Sequence, residues 1–131
     1  MKHSITDLYQ VEFNDIFNKK QSGVRLVTVI SAFLEGQIFT LASLFLEKRN
    51  VVHKPKQYQE YRQSLNVLDV NNVLSPKQLT NIEKFRKERN KSIHGIFKGM
   101  TRDEWNKQNK LVIELGKPIV KELDIELRKV L

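Results

Sequence analysis

The stretch LVTVISAFLEGQIFTLASLFL, Leu26 to Leu46, is apolar around nearly its whole circumference. A run of this length suffices to span a bilayer, but its middle holds Glu35, Gly36 and Gln37. A carboxylate at the bilayer centre costs about 2.5–3.5 kcal/mol even on a gentle insertion scale. A helix that is hydrophobic nearly all round also suits the centre of a small bundle, where neighbours cover every face. The segments on either side are amphipathic and need such a partner. The stretch therefore predicts an all-α fold, an up-and-down bundle of about four to five helices around one long apolar central helix, with no membrane as partner.

Working outward, Ile5, Leu8, Tyr9, Phe13, Ile16 and Phe17 recur at helical spacing behind a Ser4 cap, giving a first helix to about Asn18. Ser22 and Gly23 break the chain before the central helix, which runs to about Arg49. Tyr58, Tyr61, Leu65 and Leu68 suggest one short helix after Pro55, and Asp69 to Asn72 reads as loop. Ser75-Pro76, with Gln78 completing a capping box, starts the next helix; Leu79, Ile82, Phe85, Arg86, Arg89 and Ile93 follow, and Gly95 is expected as a left-handed cap. Thr101 to Glu104 opens a last helix whose apolar face passes through Trp105, Val112, Leu115, Ile119, Leu123, Leu127 and Val130. Pro118 should kink or break it. No internal repeat or strand-period segment interrupts this pattern, so residues 1–131 read as a single domain.

Composition limits the chemistry. The chain of 131 residues is 40% apolar and 29% charged, a globular balance. Its formal net charge of +8, from 23 Lys and Arg against 15 Asp and Glu, suits a polyanionic partner or a solvated basic surface. Without cysteine there is no disulfide framework, thiol catalysis or Cys-ligated zinc, which fits a reducing cytoplasmic location. Residues 1–20 alternate polar and apolar and lack the continuous apolar core of a secretion signal. No phosphate loop, Rossmann glycine pattern or nucleophile-elbow serine is present. The three histidines, His3, His53 and His94, share no metal-ligand spacing, so neither a metal nor a cofactor is expected.

One stretch remains, RNKSIHG, Arg89 to Gly95. Asn90 and His94 lie four apart and so share a helix face. Arg89 points well round the helix, with a side chain long enough to reach the same pocket. His94 stands in the last turn, where the negative end of the helix favours a cation. An imidazole beside a fixed guanidinium suits phosphodiester chemistry: one moves a proton, the other stabilises charge on a phosphorane. A helix ending in Lys, Arg and His is equally what dipole complementarity alone would produce.

Arg89 to His94 resembles the motif of the HEPN superfamily, small all-α domains marked by an Arg, four to six residues, then a His, often with a polar residue after the Arg. Here the spacing is four and Asn90 is the polar follower. The place of the motif, late in a helix and before a further amphipathic helix, is similar too. The resemblance implies a metal-independent endoribonuclease in which two motif helices meet across a homodimer. Arg89 would hold the scissile phosphate, and His94 would assist 2′-hydroxyl attack or the leaving group, with Asn90 as helper. It implies the toxin of a toxin–antitoxin pair, with an antitoxin protein as a further partner, or a phage-defence factor. It equally admits a module that binds RNA, nucleotides or proteins without cleaving.

Glu35 joins the candidate catalytic residues because a lone acid on an apolar helix must be solvated, paired or neutral. It is expected inside the bundle, paired with Arg89 or Arg86, as a structural ion pair or a part of the site. Arg86, Lys87, Lys91 and Lys98 surround the motif and would track RNA phosphates electrostatically. Tyr58 and Tyr61 suit base stacking or packing equally and are not assigned to the site.

Overall fold

A computed structural model describes residues 7–18, 23–49 and 60–131. Among the described residues the chain forms five α-helices and no strand: α1 (Asp7–Phe17), α2 (Gly23–Lys48), α3 (Glu60–Val70), α4 (Pro76–His94) and α5 (Arg102–Val130). A 3₁₀ turn, Gly95–Phe97, joins α4 to α5. The expected Ser4 cap, Ser22 and Tyr58 lie outside the described residues.

The apolar stretch is the central helix. Leu26, Val27, Ile30, Leu34, Ile38, Leu41, Ala42 and Leu44 of α2 are all buried, most extensively against α5 and then α3, with α4 and α1 covering the remainder. Helix α2 is also long and apolar enough to cross a membrane by length and composition. In this bundle four neighbours share its buried side, and 44% of its most apolar 18-residue window is buried.

The buried polar side chains of α2 are Ser31 and Gln37, not Glu35. Gln37 Nε2 donates to the backbone oxygen of Val120 at 3.0 Å and to the Tyr9 hydroxyl oxygen at 3.1 Å. The Tyr9 hydroxyl donates onward to Asp124 Oδ1 at 2.9 Å, while Arg128 Nε donates to Asp124 Oδ2 at 2.9 Å. Burial pushes the Tyr9 hydroxyl pKa well up, against the hydrogen bond from Gln37, so the ring keeps its proton to donate. Phe33 of α2 packs on Tyr9 with ring centroids 4.9 Å apart, completing the seat of α1.

Both capping boxes form. Ser75 Oγ accepts from the Gln78 amide at 3.1 Å and Gln78 Oε1 accepts from the Ser75 amide at 2.8 Å. Thr101 and Glu104 repeat the exchange, both bonds at 3.2 Å, and the Thr101 amide holds the Glu104 carboxyl below the usual carboxylate range.

Four local expectations are corrected. Helix α3 continues through Asp69 and Val70; the chain turns only at Asn71 and Asn72, where Asn72 adopts φ 57° and the Val73 and Leu74 amides both return to the Leu68 oxygen. Gly95 has φ −57° and ψ −42°, right-handed rather than left-handed, and the left-handed residue is Gly99 at φ 77°. Gly95 is needed for space instead: a Cβ there would stand 2.7 Å from Met100 Sδ and 2.8 Å from Trp105 Cδ1. Pro118 does not break α5, which runs uninterrupted from Arg102 to Val130. Proline removes a single amide donor, while Val112, Ile119, Val120 and Leu123 on both sides of it remain buried. Ile93, placed on the apolar face by spacing, is 37% exposed, and Ser92 takes the inward position.

Helix α4 lies antiparallel to α5, with Ser92 opposite Trp105, Glu88 opposite Gln108 and Phe85 against Gly116. The approach at Gly116 is close. A Cβ there would lie 2.7 Å from both Ile30 Cγ2 of α2 and Phe85 Cε2 of α4. Gly116→Ala is therefore expected to cost about 1–3 kcal/mol through overpacking. Gly36→Ala, on an exposed helical position with nothing within 4 Å, should stabilise by about 0.5–1 kcal/mol. Urea denaturation of the two variants should move the midpoint in opposite directions.

Candidate functional site

Helix α4 carries the motif because its start is fixed at Ser75 and its inward face at Ile82 and Phe85. Continuing that face by helical steps brings Arg89 and Ser92 to the inside. Arg89 turns toward α2. Its Nη1 donates to Ser31 Oγ at 2.7 Å and stands 3.5 Å from Glu35 Oε1. The Ser31 contact is a short charge-assisted hydrogen bond. The Glu35 contact is a looser ion pair, and Glu35 is 54% exposed on its side chain against 19% for Arg89. The acid expected inside the bundle thus sits at its rim, though with the partner expected for it. Along that face of α2, Ser31 is buried at 7% exposure while Glu35, one turn on, reaches the rim; Gln37 points inward on a different face.

Arg89 closes one wall of a narrow cleft of about 20 Å³, room for about one water, lined by Ser31, Leu34, Glu35 and Ile38 of α2, Tyr61 of α3, and Ile82, Phe85 and Arg86 of α4. The Arg89 Nε is buried here with no partner among the described residues, so the guanidinium retains an unused donor. Tyr61 faces the same group of charges. Burial raises its hydroxyl pKa, against the opposing pull of Arg86.

His94 and Asn90 are both exposed, and their side chains make no hydrogen bond among the described residues. Five helical steps of about 100° separate Arg89 from His94, so the two point about 140° apart around the axis. One copy of α4 does not bring guanidinium and imidazole onto a common pocket. The expectation that the arginine reaches the histidine's pocket is corrected: Ser31 and Glu35 hold it on the α2 side.

The surrounding cations divide into two kinds. Arg86 is held by Glu83 through bonds of 2.7 and 3.1 Å, which raise its pKa and lower that of Glu83, and Lys91 pairs with Glu88 at 3.1 Å. Lys87 and Lys98 are exposed and unpaired among the described residues. The described residues hold no group of three or more His, Asp or Glu placed to bind a metal ion.

Three contributors escaped the sequence reading. Ser31 lies four residues before Glu35 and so shares its helix face, a polar pair on an apolar helix that spacing alone would have revealed. The indole of Trp105 donates to the Ser92 carbonyl oxygen at 2.6 Å, and Gln108 Nε2 donates to the Glu88 oxygen at 3.0 Å, tying the end of α4 to α5. Neither bond leaves a periodic signal, since each uses a polar tip on an otherwise ordinary helix position.

No protein-family model matches the chain, and no curated protein or solved structure is similar to it.

The Arg89 seat can be measured. Ser31→Ala is expected to cost about 1.5–3 kcal/mol by removing the shorter of the two contacts of Arg89 Nη1, a hydrogen bond from a charged donor. Glu35→Gln, acting on an exposed pair, should cost less than about 1 kcal/mol. A larger loss for Glu35→Gln than for Ser31→Ala in urea denaturation would show that the carboxylate, not the hydroxyl, anchors the guanidinium.

Proposed function

We propose that this chain is a HEPN-type endoribonuclease that works without a metal ion, as a homodimer with the motif helices facing each other in the cytoplasm. The observation that carries this reading is the state of the motif's two charged residues. Arg89 is held by α2 with its side chain still 19% exposed, and His94 is exposed with no partner among the described residues. A guanidinium held in place loses little freedom when it binds a phosphate. An exposed imidazole is free to take the 2′-hydroxyl proton or to protonate the leaving oxygen. The wide angle between them in one chain is the reason a second copy belongs to the proposal: the Arg89 of one protomer and the His94 of its partner would then face one phosphate. A 2′,3′-cyclic phosphate is the expected product. Asn90, on the His94 face, would orient the ring or bind a phosphate oxygen, and Glu35 would act through Arg89. Arg86, Lys87, Lys91 and Lys98 would track the RNA backbone. A toxin restrained by an antitoxin, or a phage-defence factor, is the biological setting that fits such an enzyme.

One observation favours a second reading, a HEPN-like module that binds RNA, nucleotide or protein without cleaving. The Ser31 and Glu35 contacts already occupy Nη1 of Arg89, as they would if the arginine were purely a tie between helices.

Cleavage of RNA in EDTA, comparing wild type with variants, separates the two. His94→Ala should abolish cleavage while costing no more than about 0.3–1 kcal/mol of stability, the worth of a cation at an exposed helix end. Arg89→Lys keeps the charge but loses the planar fork, so it should bind RNA and cleave poorly. A strict monomer in sedimentation at micromolar concentration would overturn the two-copy site. Binding without cleavage by every variant would establish the module.

A further inference from the structure

Phe97 is 83% exposed, the most exposed large hydrophobic residue among those described, with Ile96 beside it 58% exposed. Leaving a phenylalanine in water forgoes most of what burial would return, and the residue is not on a loose tether. The 3₁₀ turn that carries it is held at both ends. The Gly95 amide donates to the Ser92 oxygen, and the Lys98 and Met100 amides both return to the Gly95 oxygen at 3.1 and 3.2 Å. Beneath, Gly95 is buried against Met100 and Trp105 with no room for a side chain, and the Trp105 indole clamps the Ser92 carbonyl at 2.6 Å. The backbone under the ring is fixed, so the ring is presented outward by construction.

Its charged surroundings select the partner. From Lys87 to Glu104 the chain carries five Lys and Arg against three Asp and Glu. Glu88 is spent on Lys91, and Glu104 on the Thr101 amide. Lys98, the next residue after Phe97, is exposed and unpaired among the described residues. A flat aromatic surface with a free lysine next to it, in a segment of net positive charge that also holds the exposed Asp103, complements a single-stranded nucleic acid, in which a base stacks while a phosphate meets Lys98.

We infer that Phe97 is a base-stacking platform for single-stranded RNA, three residues past His94, which sets the position of a nucleotide next to the scissile one. The inference rests on the ribonuclease reading for its location and adds a specificity residue to it. Stacking accepts any base, so the platform places the strand more than it reads the sequence.

The test is binding of the full-length protein to a fluorescein-labelled 2′-O-methyl oligouridine 12-mer, which lacks the hydroxyl needed for cleavage. Phe97→Ala and Phe97→Leu should each weaken binding about 5- to 150-fold. Phe97→Trp should retain affinity, and the oligomer should quench its added fluorescence. Wild-type affinity in Phe97→Ala would overturn the platform. So would wild-type affinity in Phe97→Leu, since an aliphatic side chain would then suffice. A loss of self-association in Phe97→Ala with RNA binding unchanged would assign the face to a second copy, and absence of wild-type binding at low salt would also reject the inference. Cleavage of unmodified RNA is read in parallel. If it depends on His94 but not on Phe97, the ribonuclease stands and the platform falls; if Phe97 governs binding and nothing cleaves, the reverse holds.

Discussion

The bundle depends on the absence of one side chain. At Gly116, Ile30 of α2 and Phe85 of α4 both press on the backbone of α5, so closely that even a methyl group would collide with each. Three helices meet at this point, and the crossing sets how near α4 may come to the central helix. Arg89 lies one helical turn beyond Phe85 on the same inward face, which is why its guanidinium reaches Ser31 at 2.7 Å. A wider crossing would draw the arginine out of the cleft. The position of the candidate site is therefore a packing result before it is a chemical one.

Polar groups on α2 divide the same helix into two uses. Ser31 and Glu35 lie one turn apart and face α4, where one hydroxyl and one carboxylate hold a cation. Gln37 faces α5 and α1, where a neutral amide joins Val120 and Tyr9. The division follows from burial. Gln37 is 1% exposed; its Nε2 is satisfied by two hydrogen bonds while its Oε1 has no partner among the described residues, a cost a neutral amide can bear. A carboxylate at the same depth would demand a buried countercharge, and Glu35 instead sits where water shares the work. The helix stays apolar enough to form a core while reserving one edge for a charged neighbour.

Much of this architecture was legible in advance, and the misses have physical causes. Ser75 with Gln78 and Thr101 with Glu104 were readable because capping is local chemistry at fixed spacing. The apolar face of α5 from Val112 to Leu127 was readable because burial follows the helical period. Gly95 was misread because glycine serves two needs, an unusual backbone angle and a lack of bulk, and only the neighbouring Trp105 distinguishes them. Glu35 was misplaced because periodicity on an all-apolar helix gives no outward face to count from. Arg89 and His94 were legible as a pair of residue types five positions apart. Their divergence around the helix was implicit in the number five, but what the arginine turned toward depended on Ser31, a residue far away in the sequence.

The seat of α1 has a consequence for the order in which the molecule assembles. Tyr9 bonds to Gln37 and to Asp124, the second contact spanning 115 residues of chain. Neither helix alone offers α1 a complete surface; the Gln37 amide and the Asp124 carboxylate come together only where α2 and α5 have already met. By contrast, the clamp of Trp105 on Ser92 closes a separation of 13 residues within the α4–α5 hairpin. Short loops close at little entropic cost and long ones at more. The end of α4 that carries Arg89 and His94 is thus shaped by contacts close in sequence, while the full seat of α1 exists only where α2 and α5 have met.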